Sequence, residues 1–504
     1  MKPLKNFPVY FFLFSIYPVL ALLSFNINEV EPGVLWRPLL VVSGLGCLTF
    51  LALGFLLKDW HKSALIITLL FLLFFTYGHV YSYLKAIKVS NIVLGRHRFL
   101  VPIWLGLGVL SIIWISRKVR AAQRFASTLN LIAIFLLVYP VFQVVTYVWS
   151  EAGTRSAAQA AQVSINKNLP AGYAPDIYYI ILDAYGRDDL LRDVFNYDNT
   201  PFLNSLKSKG FYIAGCSQSN YAQSMLSITS SLNMNYLDRF TNALTPNTNN
   251  RAPLRALGQY NQTRQFLDGL GYNTVSFATN FPASEWKDAD YFLEPTLGGM
   301  NDFELMLVQT SVGRAWMDSF AKPTEDKSAE WYRARTLFAL EQLETKVLDI
   351  PSPRFVFVHL VIPHHPFVFG PNGEELDNII HGVPEFPDYV AGYKNQVTYI
   401  NRRIQILVEK ILAESENPPV IVIQGDHGPA PFDIDKNRMY ILNAYYLPEG
   451  SENLYETITP VNTFRIIFNQ YFNQRYELLE DISYFSEYDV PYNYQIIPNT
   501  CGSK

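Results

Sequence analysis

The chain has little charge and few cysteines. Of its 504 residues, 17% are charged and the formal net charge is −4, whereas an ordinary globular protein is about 25% charged. Three cysteines in this length exclude a disulfide-rich scaffold. Without a basic excess to neutralise phosphates, the chain is not expected to bind nucleic acid. Hydrophobic residues make up 49%, which excludes a disordered chain.

The missing charge is concentrated at one end of the chain. Five apolar runs without Asp, Glu, Lys or Arg precede residue 150: Pro8–Phe25, Pro38–Leu57, Ser63–Leu84, Phe99–Ser116 and Ser127–Trp149. Each is close to the ~20 residues that a helix needs to cross ~30 Å of hydrocarbon. The sequence therefore predicts a bundle of five transmembrane helices over residues 1–149, a linker over 150–174 and a soluble domain over 175–504.

Lys and Arg in the short loops predict the orientation in the membrane. The N-terminus and the loops Lys58–Lys62 and Arg117–Arg124 are basic and lie on one side by alternation. This pattern favours a multi-pass protein of the inner or plasma membrane with a cytoplasmic N-terminus and an extracytoplasmic soluble domain. Cys216 and Cys501 both belong to that domain, where an oxidising compartment would let them pair if they meet.

The soluble domain alternates apolar strands with helices. Its predicted strands are Asp176–Leu182, Gly210–Ala214, Thr274–Phe277, Arg354–Leu360 and Pro419–Gln424. Continuous apolar strands separated by helices predict a mainly parallel sheet sandwiched by helices. Because ligands of such sheets bind at the carboxyl ends of the strands, polar residues just after strands are the candidate site.

Carboxylates and imidazoles follow three of these strands. Asp183 ends the first, the pair Asp426-His427 follows the last between two glycines, and His359 lies within the strand Arg354–Leu360. His364 and His365 come just after His359, between two prolines. The adjacent Asp426 and His427 form a compact site for a hard or borderline metal ion. A histidine among the other three is suited to contacting a transferred group or donating a proton.

A serine-rich run supplies candidate nucleophiles. Ser217–Ser231 leads into a predicted helix, and the N-terminus of a helix favours an anion through its dipole and free N–H groups. Most of these serines are equally suited to capping the helix.

In order along the chain, these motifs resemble those of the alkaline phosphatase/sulfatase superfamily. The resemblance covers Asp176 to about residue 480, and IQGDHG, at residues 423–428, is its most specific motif. With five N-terminal spans, the layout is similar to the branch that includes lipoteichoic acid synthases and lipid A phosphoethanolamine transferases. The resemblance implies an alkaline phosphatase/sulfatase-like fold for the soluble domain.

The resemblance also implies roles for individual residues. Asp183, Asp426 and His427 match the metal ligands of the family. The family spacing counted from Gly210 reaches Gln223, which favours the adjacent Ser224 as nucleophile and fourth ligand.

Other positions are alternatives or depart from the family pattern. Ser227 and Cys216 are the alternative nucleophiles. The His-x4-His spacing favours His364 as the catalytic histidine, with His359 and His365 as substrate-binding residues. The chain has Ser where the branch usually has Thr, lacks the sulfatase motif Cys/Ser-x-Pro-x-Arg, and has no histidine after His427. The last departure implies a single metal ion, Zn²⁺ or Mn²⁺, since carboxylate and imidazole ligands suit either.

The function implied is transfer of a phospho-alcohol headgroup, of the phosphoglycerol or phosphoethanolamine type, through a covalent serine intermediate. The donor would be a membrane phospholipid and the acceptor a glycan or lipid of the cell envelope. Two alternatives stay open at this point. One is a sulfatase-like hydrolase of phosphodiesters or sulfuric esters on the same site, and the other is a membrane scaffold without catalytic activity.

Overall fold

The structure is a computed structural model of the whole chain. It describes residues 7–89, 92–160, 174–241, 246–279, 281–296, 300–320, 327–376, 386–429 and 434–501. The chain divides into two compact units. The first comprises residues 1–149 and 298–325, and the second comprises residues 150–297 and 326–504.

The described residues form the following elements. The helices are α1 Tyr10–Phe25, α2 Trp36–Leu57, α3 Trp60–Lys85, α4 His97–Lys118, α5 Ala126–Ala160, α6 Asp188–Phe195, α7 Thr200–Ser208, α8 Ser224–Leu232, α9 Asp238–Thr241, α10 Ala252–Gln259, α11 Gln262–Gly269, α12 Asp302–Gln309, α13 Gly313–Phe320, α14 Lys327–Glu344, α15 Phe386–Glu414, α16 Ile434–Asn437 and α17 Thr463–Tyr471. The strands are β1 Lys88–Val89, β2 Ile92–Val93, β3 Ile177–Leu182, β4 Tyr212–Ile213, β5 Asn273–Phe277, β6 Tyr291–Leu293, β7 Arg354–Leu360, β8 Val420–Gly425, β9 Asn443–Tyr446, β10 Ser483–Phe485 and β11 Gln495–Ile497.

The first unit contains the five predicted apolar helices. Four of them, α2 to α5, are long and apolar enough to cross a membrane, whereas α1 has only 16 residues. At 1.5 Å per residue, α1 is about 24 Å long, somewhat less than the hydrocarbon thickness. Helix α5 continues without a break to Ala160, beyond the predicted end of the membrane domain at residue 149. Most of the rest of the predicted linker, residues 161–173, lies outside the described residues.

A segment far along the chain also belongs to the first unit. The turn between α12 and α13 contacts α3, where the Gly78 N–H donates to the Thr310 carbonyl at 3.0 Å and the Phe74 carbonyl accepts from Val312 N–H at 2.8 Å. A Cβ on Gly78 would collide with the Gln309 carbonyl, so this close approach depends on glycine. Sequence analysis assigned the segment to the soluble domain, but its contacts place it with the apolar helices.

The second unit is built on a seven-stranded sheet with the order β4-β9-β8-β3-β7-β5-β6. The strands β8, β3, β7, β5 and β6 are mutually parallel, and β9 runs antiparallel to both of its neighbours. The predicted mainly parallel sheet is therefore confirmed. The short strands β6 and β9 were not predicted, because neither has a long apolar run.

Both faces of this sheet are buried by helices. In β3, Tyr178, Ile180 and Leu182 face one core, while Ile177, Tyr179 and Ile181 face the other. The first core is completed by apolar side chains of α14 and α15, and the second by those of α8, α11 and α17. This double burial explains why the central strands are apolar at every position.

Candidate active site

The sheet register brings the two predicted metal-binding carboxylates together. In the parallel pair β3–β8, Leu182 lies opposite Gly425. Asp183 and Asp426 are the next residues on the two strands and therefore leave the sheet side by side at its carboxyl edge. On the other side of β3, His359 of β7 pairs with Ile181, so its side chain reaches the same edge.

The backbone around the carboxylates is tightly shaped. Ala184 has a left-handed backbone with φ of +61°, and its N–H donates to Asp426 Oδ1 at 3.0 Å. The His427 N–H donates to the same oxygen at 2.8 Å. A Cβ on Gly425 would collide with the Tyr185 carbonyl, and one on Gly428 with backbone carbonyls of the following loop. The two glycines therefore allow the close chain approach that the motif predicts.

Asp183, Asp426 and His427 form a buried cluster suited to a cation. Their ligand atoms all lie within 4.8 Å of one another. His427 Nε2 is 3.6 Å from Asp183 Oδ1 and 3.7 Å from Asp426 Oδ2. Both of these carboxylate oxygens are buried, and neither has a hydrogen-bond partner in the part of the chain that the structure describes. Buried acceptors without a partner are costly, so a divalent cation fits this donor set.

The protonation states of the cluster also suit a metal. The Nδ1 of His427 lies 2.9 Å from the Gly428 carbonyl, which leaves Nε2 as the nitrogen with the lone pair. Burial, assisted by the nearby Arg438 guanidinium, lowers the pKa of His427 to about 4. Burial alone would raise the pKa of the Asp183 carboxyl, but His364, His359 and His427 outweigh it and hold that pKa well below its usual value.

Ser224 is the predicted nucleophile that contacts the cluster. It is the first residue of α8, and its Oγ lies 3.2 Å from His427 Nε2. The side chain is half-buried, and the α8 dipole favours negative charge at this end of the helix. The arrangement places a hydroxyl beside the cluster of Asp183, Asp426 and His427.

The two alternative nucleophiles are engaged elsewhere. Ser227 is buried in α8, and its Oγ lies 3.0 Å from Ser219 Oγ. Cys216 forms a disulfide with Cys501 and has no free thiol.

The three predicted histidines occupy different positions. His359 is buried; its Nε2 lies 3.3 Å from Asp183 Oδ2, and its Nδ1 lies 3.1 Å from Ser284 Oγ. The sequence predicts that His359 binds substrate. In this buried position beside the carboxylates, its imidazole is suited to orienting Asp183. His364 is half-buried, and its ring centre lies 6.2 Å from that of His427. His365 stacks on His364 at 4.1 Å.

Backbone contacts fix the loop that contains His364. Its N–H donates to the Asp183 carbonyl at 3.1 Å, and its own carbonyl accepts from Gln396 at 2.9 Å and from the Tyr332 hydroxyl at 3.0 Å. Its Nδ1 lies 2.5 Å from the His365 carbonyl. The imidazole is thereby held at the edge of the cluster.

Sequence analysis missed one charged residue of the site. Arg438 follows α16, and its Nη2 lies 2.9 Å from His427 Nε2. It belongs to none of the predicted motifs. No sequence signal identifies it, because its proximity to His427 arises from the return of the chain after α16.

No protein-family model and no curated protein matches the chain. Solved structures similar to it include the zinc complex of the periplasmic domain of EptC from Escherichia coli, at 12% identity and TM-score 0.40, over 61% of this chain and 85% of that one. The phosphonate monoester hydrolase of Agrobacterium radiobacter is similar at 10% identity and TM-score 0.40, over 62% and 80%. The integral membrane lipooligosaccharide phosphoethanolamine transferase EptA from Neisseria meningitidis is similar at 11% identity and TM-score 0.37, over 94% of this chain and 95% of that one. At these identities and scores the likeness says nothing about substrate or mechanism, which depend on the residues of the site.

Proposed function

We propose that the protein is a membrane-bound, metal-dependent transferase that moves a phospho-alcohol headgroup from a phospholipid to an acceptor of the cell envelope. Its soluble unit would lie outside the cytoplasm. The observation that supports the proposal most is the position of Ser224 Oγ, 3.2 Å from His427 Nε2 and beside two buried carboxylates. A hydroxyl in such surroundings suits covalent catalysis on a phosphate or sulfate ester.

Asp183, Asp426, His427 and Ser224 would hold one divalent cation, zinc or manganese. When bound, the cation lowers the pKa of a neighbouring hydroxyl and polarises a phosphoryl oxygen. Ser224 Oγ attacks phosphorus in line and gives its proton to solvent, so that the new O–P bond forms as the bond to the diacylglycerol oxygen breaks. The N-terminus of α8 favours the negative charge that Ser224 gains.

His364 is proposed as the proton donor and acceptor. Its Nδ1 lies against the His365 carbonyl, so Nε2 is the nitrogen left to exchange a proton. In the first half-reaction His364 protonates the diacylglycerol oxygen as it leaves. In the second half it takes the proton of the acceptor hydroxyl, whose oxygen attacks phosphorus and breaks the O–P bond to Ser224. The released Ser224 oxygen regains a proton from solvent, which restores the serine.

The apolar helices support a lipid substrate. Four of them are long enough to cross a membrane, and the chain itself joins them to the candidate site. A site tethered to the bilayer meets lipid headgroups at a high effective concentration.

Transfer and hydrolysis differ only in what attacks the intermediate. The test is to incubate the purified, zinc-loaded chain with headgroup-labelled phospholipid, with and without an envelope extract as acceptor. A transferase releases diacylglycerol and moves the label to the acceptor, whereas a hydrolase releases a free phospho-alcohol at the same rate in both reactions. No diacylglycerol under any condition would contradict the proposal.

A further inference from the structure

Arg438 lies beside the cation-binding cluster and has no role in the mechanism above. Its backbone is fixed, because its carbonyl accepts a hydrogen bond from the Gly428 N–H at 2.9 Å. Its Nη2 lies 2.9 Å from His427 Nε2. Its Nε is buried and has no hydrogen-bond partner among the described residues. A guanidinium with an unused, buried donor is suited to binding an anion.

The contact between Arg438 and His427 competes with metal binding. The Nδ1 of His427 lies 2.9 Å from the Gly428 carbonyl, so the imidazole has one lone pair, on Nε2. That lone pair accepts either a hydrogen bond from Arg438 or a metal ion, and not both. A metal bound to His427 therefore releases Arg438 Nη2, which then needs another acceptor.

We infer that Arg438, once released from His427, binds the non-bridging oxygens of the substrate phosphoryl group. This inference rests on the proposed function and deepens it by naming a substrate-binding residue. Two carboxylates balance a divalent cation, and the guanidinium adds one positive charge, which matches the single negative charge of a phosphodiester. The planar fork of a guanidinium also suits two oxygens of one tetrahedral group better than a lysine would.

The test measures binding and not turnover. The full-length chain in detergent is stripped with EDTA, and its affinity for Zn²⁺ is measured with and without inorganic phosphate, for the wild type and for Arg438→Met. The variant lacks the competing donor, so it binds Zn²⁺ roughly three- to tenfold more tightly, and its zinc form binds phosphate roughly ten- to a hundredfold more weakly. A residue that merely supported His427 would give the opposite change in zinc affinity, because its loss weakens the ligand.

Lys436→Met is the matched control, since Lys436 is exposed and two residues away. It removes the same charge and is expected to leave both affinities unchanged. If Arg438→Met does not reach the wild-type melting temperature, Arg438→Lys is measured in its place. This variant is expected to bind phosphate at least about threefold more weakly than the wild type. Two results would overturn the role of Arg438. One is a zinc affinity that is unchanged or lower in a folded Arg438→Met. The other is an unchanged phosphate affinity in that variant, or in Arg438→Lys if Arg438→Met does not fold. A wild-type chain that binds no zinc contradicts the proposed function itself.

Discussion

The two units of the protein each contain a cluster of ionisable residues, and the clusters differ in completeness. In the first unit, His97 Nδ1 lies 2.7 Å from the Tyr77 hydroxyl and Nε2 lies 2.9 Å from Asp318 Oδ2, so both ring nitrogens have partners. In the second unit, Asp183 Oδ1 and Asp426 Oδ2 are buried with none among the described residues. The first cluster is complete within the protein, whereas the second has buried acceptors that suit a bound cation.

Apolar residues also have different surroundings in the two units. In the first unit large side chains such as Leu40 and Phe135 are exposed by 72% and 70%, as expected of helices that face lipid. In the second unit the central strands β3, β7 and β8 are buried throughout. The same hydrophobicity therefore indicates lipid contact in one unit and a protein core in the other.

The largest expected effect is from Ser224→Ala. It removes the group proposed to form the covalent bond, so turnover falls by about 10³-fold or more, measured as release of diacylglycerol. Ser227→Ala, in the same helix, is the control. It is expected to keep most of the activity, because the Ser227 hydroxyl contacts Ser219, whereas that of Ser224 lies beside His427. Equal losses in the two variants would mean that Ser224 has no special role.

Asp426→Asn and Asp318→Asn test the comparison of the two clusters directly. Asp426→Asn is expected to weaken zinc binding by about a hundredfold or more. In the metal-free protein it raises the melting temperature, because it removes one of two neighbouring buried carboxylates and keeps the oxygen that accepts from Ala184 and His427.

Asp318→Asn changes a carboxylate that already has partners. It breaks the contact with His97 and the ion pair with Arg314 at 3.2 Å, so it lowers the melting temperature by the equivalent of about 0.5–1 kcal/mol. Zinc affinity stays at the wild-type value. A decrease in melting temperature for both variants of the metal-free protein would show that the two clusters do not differ in this way.

The stability of the metal-free protein is expected to fall with decreasing pH. Burial is the main cause that lowers the pKa of both His427 and His365 to about 4, whereas an unfolded histidine has a pKa of about 6.5. The unfolded state therefore binds protons first, and stability that is complete above pH 6.5 declines toward pH 4, by up to about 1.4 kcal/mol per pH unit for each histidine.

Thermal unfolding of the EDTA-treated protein at pH 7 and pH 5 checks this slope. His365→Asn removes one of the two histidines without changing a proposed metal ligand, so its slope is shallower. A melting temperature that is the same at both pH values would contradict the assignment of neutral, buried imidazoles.

The smallest effect is expected from Ala184→Gly. Its left-handed backbone, with φ of +61°, is strained for alanine, and glycine relieves that strain at some cost in unfolded-state entropy. The net change is a stabilisation of about 0.5 kcal/mol, measured by thermal unfolding. Gly428→Ala is the opposite case, because its Cβ collides with backbone carbonyls, and it destabilises the protein. Destabilisation by Ala184→Gly would show that the strain is not stored there.

The apolar runs of the sequence predicted the central strands β3, β7 and β8 and the residues that end them, but not β6 and β9. Asp183, Asp426 and His427 could be predicted as neighbours, because parallel strands bring their carboxyl ends to one edge. Ser224 could be placed at a helix start, but its 3.2 Å contact with His427 depends on tertiary packing.

Other features had no local signal. His359 is predicted to bind substrate, and the register of β7 places it in a buried position with its Nε2 3.3 Å from Asp183 Oδ2. The segment containing α12 and α13 has ordinary amphipathic composition, and its contacts with α3 and α4 assign it to the first unit. Arg438 is a single charged residue after a short helix, and its proximity to His427 arises from the return of the loop.

The most direct test of the central claim is to trap the intermediate. The zinc-loaded full-length chain is mixed with headgroup-labelled phospholipid, quenched in acid and digested, and the peptides are analysed by mass spectrometry. The proposed mechanism predicts a phospho-alcohol adduct on Ser224, and no adduct in the Ser224→Ala variant or without metal. An adduct on another residue, or diacylglycerol release at the wild-type rate from Ser224→Ala, would contradict it.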